Sequence, residues 1–254
     1  MNLRCVNSLP NMECSEVKIG FSTGSLASGD VRKGLRMAAE SETTAIELSA
    51  LREEELEPLI KLLDKLDLGQ FSYVSFHAPS RLIHMSEEQV VELLQSVAQR
   101  DWPIVVHPDV IQDFPLWQTL GRHLCLENMD KRKPTGRTVR EMRGYFERLP
   151  YATFCFDIGH ARQVDPTMLE ARRFLLQFGD RLCQVHMSFV NSSSHHERLN
   201  FQARLAFQRV AGLIPKHAPI ILETPVPEGL LDEEMKFAES ILRPVHPNSG
   251  LLEC

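Results

Sequence analysis

One alternation limits what this chain can fold into. Eight short apolar runs are separated by amphipathic or helix-compatible segments: Lys18–Ser22, Ala45–Ser49, Phe71–His77, Pro103–His107, Leu124–Asn128, Tyr151–Asp157, Leu182–His186 and Pro219–Glu223. Most residues in these runs are apolar, as parallel strands buried on both faces require. Between them, Leu56, Leu59, Ile60, Leu63 and Leu66 recur at helical spacing, as do Val90, Val91, Leu94 and Val97. Asp30 reads as an N-cap, Ser86 as a helix start and Gly179 as a helix stop. Pro58 and Pro166 are expected in the first turns of their helices. Thr23–Gly29 and Ser188–Asn200 read as loops, and Ile111–Leu120 as a short helix. Eight strand–helix units in unbroken series are the plan of a single (β/α)8 TIM barrel, an α/β fold with an eight-stranded parallel sheet. The barrel is expected over residues 18–243, with an N-terminal extension at 1–17 and an irregular tail at 244–254.

Composition narrows the function. A chain of 254 residues, 43% hydrophobic, can bury one large core. Its apolar runs are too short to span a membrane, and Met1–Glu13 lacks a signal-peptide pattern. Cys125, Cys155 and Cys183 fall inside strands and no CxxC pair occurs. That suits a reducing cytoplasm and argues against zinc held by thiolates. The formal charge of −6 disfavours a duplex-binding protein, and Lys131-Arg132-Lys133 reads as a solvated loop. A small-molecule substrate is therefore expected, with nucleic acid the less favoured partner and no membrane partner.

The ends of the runs carry the chemistry. The third to the eighth finish at His77, His107, Glu127, Asp157, His186 and Glu223. In such a barrel the strand C-termini converge on the active face. Several desolvated carboxylates aimed at one axis repel unless cations neutralise them. Imidazole and carboxylate without thiolate suit zinc or manganese, then cobalt or magnesium. Glu47, near another strand end, either orients a ligating histidine or binds substrate. His84, His123 and His217 lie away from strand ends and read as structural.

Ser75-Phe76-His77-Ala78-Pro79, Val106-His107-Pro108, Leu126-Glu127-Asn128, Phe156-Asp157-Ile158-Gly159-His160-Ala161, Val185-His186 and Leu222-Glu223-Thr224 together resemble the xylose-isomerase-like TIM-barrel superfamily. That superfamily joins sugar-phosphate isomerases and epimerases with endonuclease IV. The resemblance implies a metal quartet of Glu127, Asp157, His186 and Glu223, with Glu127 and Glu223 also moving the substrate proton. His160 and Arg81 would contact substrate. In the endonuclease branch His77 and His107 would hold a further ion, bridged by Glu127. A third ion would use His160 and His196, but Ser194 stands where that branch has an aspartate. The expected activity is a divalent-metal-dependent isomerase or epimerase of a small sugar or hydroxy-carbonyl compound, working through an enediolate with one or two ions. The alternatives are an endonuclease IV-like zinc phosphodiesterase on abasic DNA, or another metal-dependent hydrolase or lyase.

Overall fold

The computed structural model describes residues 17–243. The tail, most of the expected extension, and Cys5, Cys14 and Cys254 lie outside the described residues.

Strands β1 (Ile19–Ser22), β2 (Ala45–Ser49), β3 (Tyr73–His77), β4 (Ile104–Val106), β5 (Leu124–Glu127), β6 (Thr153–Asp157) and β7 (Leu182–Met187) pair in sequence. Two short strands follow, β8 (Phe189–Val190) and β9 (His196–Glu197). Then β10 (Ile220–Leu222) pairs with β7 and β1 and closes an eight-stranded barrel. All the barrel pairings are parallel. The chain is a (β/α)8 barrel.

Helices α1 (Thr23–Ala27), α2 (Val31–Ala39), α3 (Glu53–Leu62), α4 (Glu87–Ala98), α5 (Phe114–Gln118), α6 (Val139–Arg148), α7 (Ile158–Val164), α8 (Leu169–Phe178), α9 (Phe201–Ala211) and α10 (Leu231–Leu242) connect them. Their apolar faces form the core against the outside of the barrel. On α4 that face is Val90, Val91, Leu94 and Val97, each worth about 1.5–3 kcal/mol when fully buried. Phe146, Phe154, Phe174 and Phe178 interlock between β6, α6 and α8.

Five local expectations change. Thr23–Ala27 is a helical turn rather than a loop. Tertiary contacts hold it: Leu26 is buried, and Thr23 Oγ1 accepts from Ser49 N at 3.0 Å. Pro58 sits inside α3, not in its first turn. Pro58 and Glu54 are both exposed, so the carbonyl that loses its partner faces water. Pro166 lies in the turn before α8, where the Asp165 carboxylate accepts from Thr167 N at 3.0 Å and Glu170 N at 2.8 Å. The Ser188–Asn200 stretch carries the antiparallel β8–β9 hairpin, its turn held by Asn191 Oδ1 accepting from Ser193 N (2.8 Å) and His195 N (3.0 Å). The helix expected over Ile111–Leu120 is reduced to α5, begun by the Asp113 cap and preceded by a 3-10 turn at Pro108–Val110.

Candidate metal centre

Alternate residues of a strand point the same way, so the residues two before each polar strand end form the layer beneath it. The lower layer includes Ser75, Val105, Cys125, Cys155 and Gln184, and the upper one His77, His107, Glu127, Asp157 and His186. Glu127 sits at the middle of the upper layer and is buried. Its Oε2 lies 3.3 Å from His77 Nε2 and 3.2 Å from His107 Nε2. Its Oε1 lies 3.2 Å from His186 Nδ1. His186 Nδ1 is also 3.5 Å from Glu223 Oε1.

Two groups result that could each hold an ion: Glu127, Asp157, His186 and Glu223, and His77, His107 and Glu127. Within each, one ligand atom per residue lies within 4.8 Å of the others. Glu127 belongs to both. Glu47 joins His77, His186 and Glu223 in a third such combination.

Asp157 has two tasks. Its Oδ1 caps α7 by accepting from His160 N at 2.6 Å. Its Oδ2 is buried without a hydrogen bond among the described residues. The glycine that follows in sequence after Ile158 is required by crowding. A Cβ on Gly159 would stand 2.6 Å from Ser188 O and 2.8 Å from Val190 Cγ2. Asn128 ties the two strand ends together. Its amide nitrogen donates to Asp157 O and its Oδ1 accepts from Asp157 N, both at 2.8 Å.

The histidines are oriented by fixed partners. His77 Nδ1 faces Ala78 O at 2.7 Å, and His160 Nδ1 faces Asn128 O at 3.0 Å. A carbonyl only accepts, so in each ring that nitrogen carries the hydrogen and Nε2 is free. In the neutral ring His77 Nε2 thus presents a lone pair to a carboxylate oxygen, and either a proton on Nε2 or a cation between them relieves it. Against the effect of burial, the neighbouring carboxylates raise His77 accordingly.

Electrostatics point the same way. Burial and the Glu127 charge push Asp157 well above the usual carboxylate range. Burial pushes Glu223 up to about 8; His186 opposes this and the neighbouring carboxylates reinforce it. Burial also works against the Glu127 anion, but His186, His107 and His77 outweigh it and hold Glu127 well below its ordinary value. Burial disfavours charge on His186, yet Glu223, Glu47 and Glu127 together raise it well above 6.5. Burial brings His107 down to about 4, and burial with His160 brings His196 down to about 3. Without an ion, the cluster neutralises itself with protons. Orphaned Asp157 Oδ2 and the all-oxygen-and-nitrogen donor set fit a divalent cation.

A cavity of about 350 Å³ opens above this layer. Its wall includes His77, His107, Glu127, His160, His196 and Glu223. Arg81 is exposed at its rim. Glu47 is fully buried and does not line the cavity. His160 and His196 meet edge to face with ring centroids 5.3 Å apart, but among the described residues they enter no three-ligand group. Ser194 bonds to Gln163 instead.

Lys133 stands differently from its sequence reading. Lys133, read as part of a solvated loop, is a nearly buried wall residue, bonded to Asp109 at 2.9 and 3.0 Å and to Ser80 O at 2.9 Å. Asp130 is buried on the cavity wall, paired with Arg132, and had no distinguishing signal beyond following Glu127 by three. Arg162 stacks on Phe189, and Arg198 is taken up by Glu233 and Glu234 of α10; neither lines this cavity.

The fold and its upper layer define a TIM barrel with a candidate divalent-metal centre at the strand C-termini. Structures of the same fold include a 3-keto-D-glucoside 4-epimerase from E. coli, at 13% identity and TM-score 0.57, covering 89% of this chain and 100% of that one. Endonuclease IV from Thermus thermophilus matches at 19% identity and TM-score 0.57, over 89% and 98% of the two chains. An Anabaena variabilis barrel assigned as a sugar phosphate isomerase/epimerase matches at 14% and 0.51, over 94% and 93%. At these identities the likeness is one of fold. No protein-family model and no curated protein sequence matches the chain.

Proposed function

We propose that residues 18–243 form a metal-dependent enzyme of the xylose-isomerase-like barrels, with two divalent ions bridged by Glu127, that hydrolyses a phosphoester of sugar or nucleotide size. The observation that carries this reading is the division of Glu127: one oxygen serves His77 and His107, the other His186. Glu127, Asp157, His186 and Glu223 would hold one ion, and His77, His107 and Glu127 the other. Bound in pairs, such ions stabilise charge on a phosphoryl group and acidify water. Two divalent charges would be matched by Glu127, Asp157, Glu223 and the buried Glu47, so the charge that favours an anionic substrate comes from Arg81 at the rim. The cavity volume suits a small molecule or a single nucleotide better than an intact duplex. His160, with Nδ1 committed to Asn128 O, would meet substrate through Nε2. The free thiols of Cys125, Cys155 and Cys183 support a reducing, cytoplasmic setting.

Proton transfer in an isomerase or epimerase is the second reading, supported by Glu127 and Glu223 both bordering the cavity. It asks Glu127 to act as a base, whereas both its oxygens are engaged and its proton is held only weakly. Elemental analysis of protein purified without added metal separates the two. Two zinc ions per chain with turnover of phosphoesters is the expected result. One manganese, cobalt or magnesium ion, with solvent deuterium entering ketoses and no phosphoester turnover, supports the second reading and removes the first. A chain that takes up no ion overturns both.

A further inference from the structure

Beneath His186 lies a buried hydrogen-bond chain that neither function reading uses. Tyr73 OH donates to Gln184 Oε1 at 2.6 Å. The Glu47 carboxylate, which only accepts, sets which way the Gln184 amide faces: the amide nitrogen donates to Glu47 Oε2 at 2.7 Å, and Oε1 is left for the Tyr73 hydroxyl. Ser75 Oγ donates to the same oxygen at 3.0 Å. His186 Nε2 completes the set, 3.0 Å from Glu47 Oε2. Glu47, Ser75, Gln184 and His186 are all fully buried.

We propose that Glu47, held by Ser75 and Gln184 and through Gln184 by Tyr73, is a positioning residue that fixes His186 with its Nε2–H toward the lower layer and Nδ1 toward Glu127 and Glu223. An ionised carboxylate only accepts, so each group converging on Glu47 Oε2 must donate. That assigns a hydrogen to Nε2. The opposite arrangement, with Gln184 Nε2 donating into His186 Nε2 across their 2.8 Å contact, sets a ring lone pair against the Glu47 carboxylate. Burial strengthens the network and raises the cost of leaving it incomplete. The strands place these residues without slack. Ser75 is the register partner of Glu47 across β2 and β3, and Gln184 precedes His186 by two on β7. Glu47 reaches His186 across the barrel interior, since β2 and β7 are not neighbours. His77 is an internal control, because Ala78 O fixes its ring independently.

The consequence for ion binding rests on the metal reading above, whereas the orientation of His186 does not. Imidazole 15N–1H correlation on labelled protein tests the orientation. A slowly exchanging His186 Nε2–H signal is expected in wild type with or without an ion, shifted or lost in Glu47→Gln and shifted in Tyr73→Phe, while the His77 Nδ1–H signal, held by Ala78 O, is retained. A wild-type protein without that signal, or an unchanged one in folded Glu47→Gln, overturns the proposal. Zn2+ affinity by chelator competition tests the consequence. Loss of such an outer partner typically weakens metal binding by about 10–100-fold, and that loss is expected for Glu47→Gln, with a smaller one for Tyr73→Phe. Affinity within about twofold of wild type in folded Glu47→Gln removes the effect on the metal. A wild type that binds no Zn2+ but keeps the Nε2–H signal sinks the metal reading and leaves the orientation standing.

Discussion

Ion binding to the folded barrel should appear as thermal stabilisation, and its size follows from the ligand groups. An unfolded chain scatters Glu127, Asp157, His186 and Glu223 along nearly a hundred positions, so binding is coupled to the native state. At a free ion concentration of 100 times Kd, one site adds about 2.7 kcal/mol. For a domain of about 150–250 residues each kcal/mol moves Tm by about 2–4 °C. One ion therefore raises Tm by about 5–11 °C and two by about 10–22 °C. Glu127 belongs to both ligand groups, so Glu127→Gln should erase most of the rise at the same ion concentration. His107 belongs to one, so His107→Ala should keep about half of it. The assay is scanning calorimetry of chelator-stripped protein titrated separately with Zn2+ and Mn2+. A Tm indifferent to every divalent ion, or a full rise retained by Glu127→Gln, refutes the reasoning.

Two further substitutions or conditions separate structural from ligand roles. Asp157→Asn keeps a side-chain oxygen for the α7 cap, since Asn and Asp cap about equally well, whereas Asp157→Ala loses the cap at a cost of about 1 kcal/mol. Urea unfolding without ions should therefore rank wild type and Asn close together and Ala below, while Zn2+ titration shows both variants impaired. Glu53 holds the loop after β3 by accepting from Ile83 N, His84 N and Met85 N. Burial opposes its charged form, but those three bonds together bring it below its ordinary value. Its folded value being the lower one, the bonds stabilise the loop above the ordinary Glu range of about 4.3 and fade as pH falls through the depressed value. Hydrogen exchange at Ile83, His84 and Met85 should lose protection on acidification, and protection that is flat with pH contradicts this.

The barrel and its polar rim were legible in the sequence for one physical reason. Strands buried on both faces must be apolar, so a histidine or carboxylate at a strand end stands out and recurs in register. Glu127, Asp157, His186, Glu223, His77 and His107 are in fact gathered at one end of the barrel. What was hidden depends on partners remote in sequence. Lys133 looked solvated because Asp109, which neutralises it, lies in a different loop. Gln184 and Tyr73 carry no motif, and their place under His186 needs both the strand alternation and the closed barrel. Pro58 was misplaced because propensity disfavours it inside a helix, while α3 exposes the one carbonyl it orphans.

The arrangement of protons around Glu127 explains why the fold and the site are one problem. His77 gives its Nδ1 hydrogen to Ala78 O, and the Glu47 contact holds the Nε2 hydrogen of His186. What neutral rings then turn toward Glu127, at 3.3 and 3.2 Å, are lone pairs. Lone pairs facing a carboxylate repel, and side chains free to rotate would turn away. These cannot, because their other nitrogens are tied to backbone or to buried carboxylate. The energy that closes the barrel therefore holds these candidate ligands in a geometry that is unfavourable until positive charge enters. Protons answer that demand in part, which is why His186 is driven up while Asp157 and Glu223 retain theirs. A divalent ion answers it fully, so ion uptake by this barrel should release protons, and release none if His186, Asp157 and Glu223 take no part in binding.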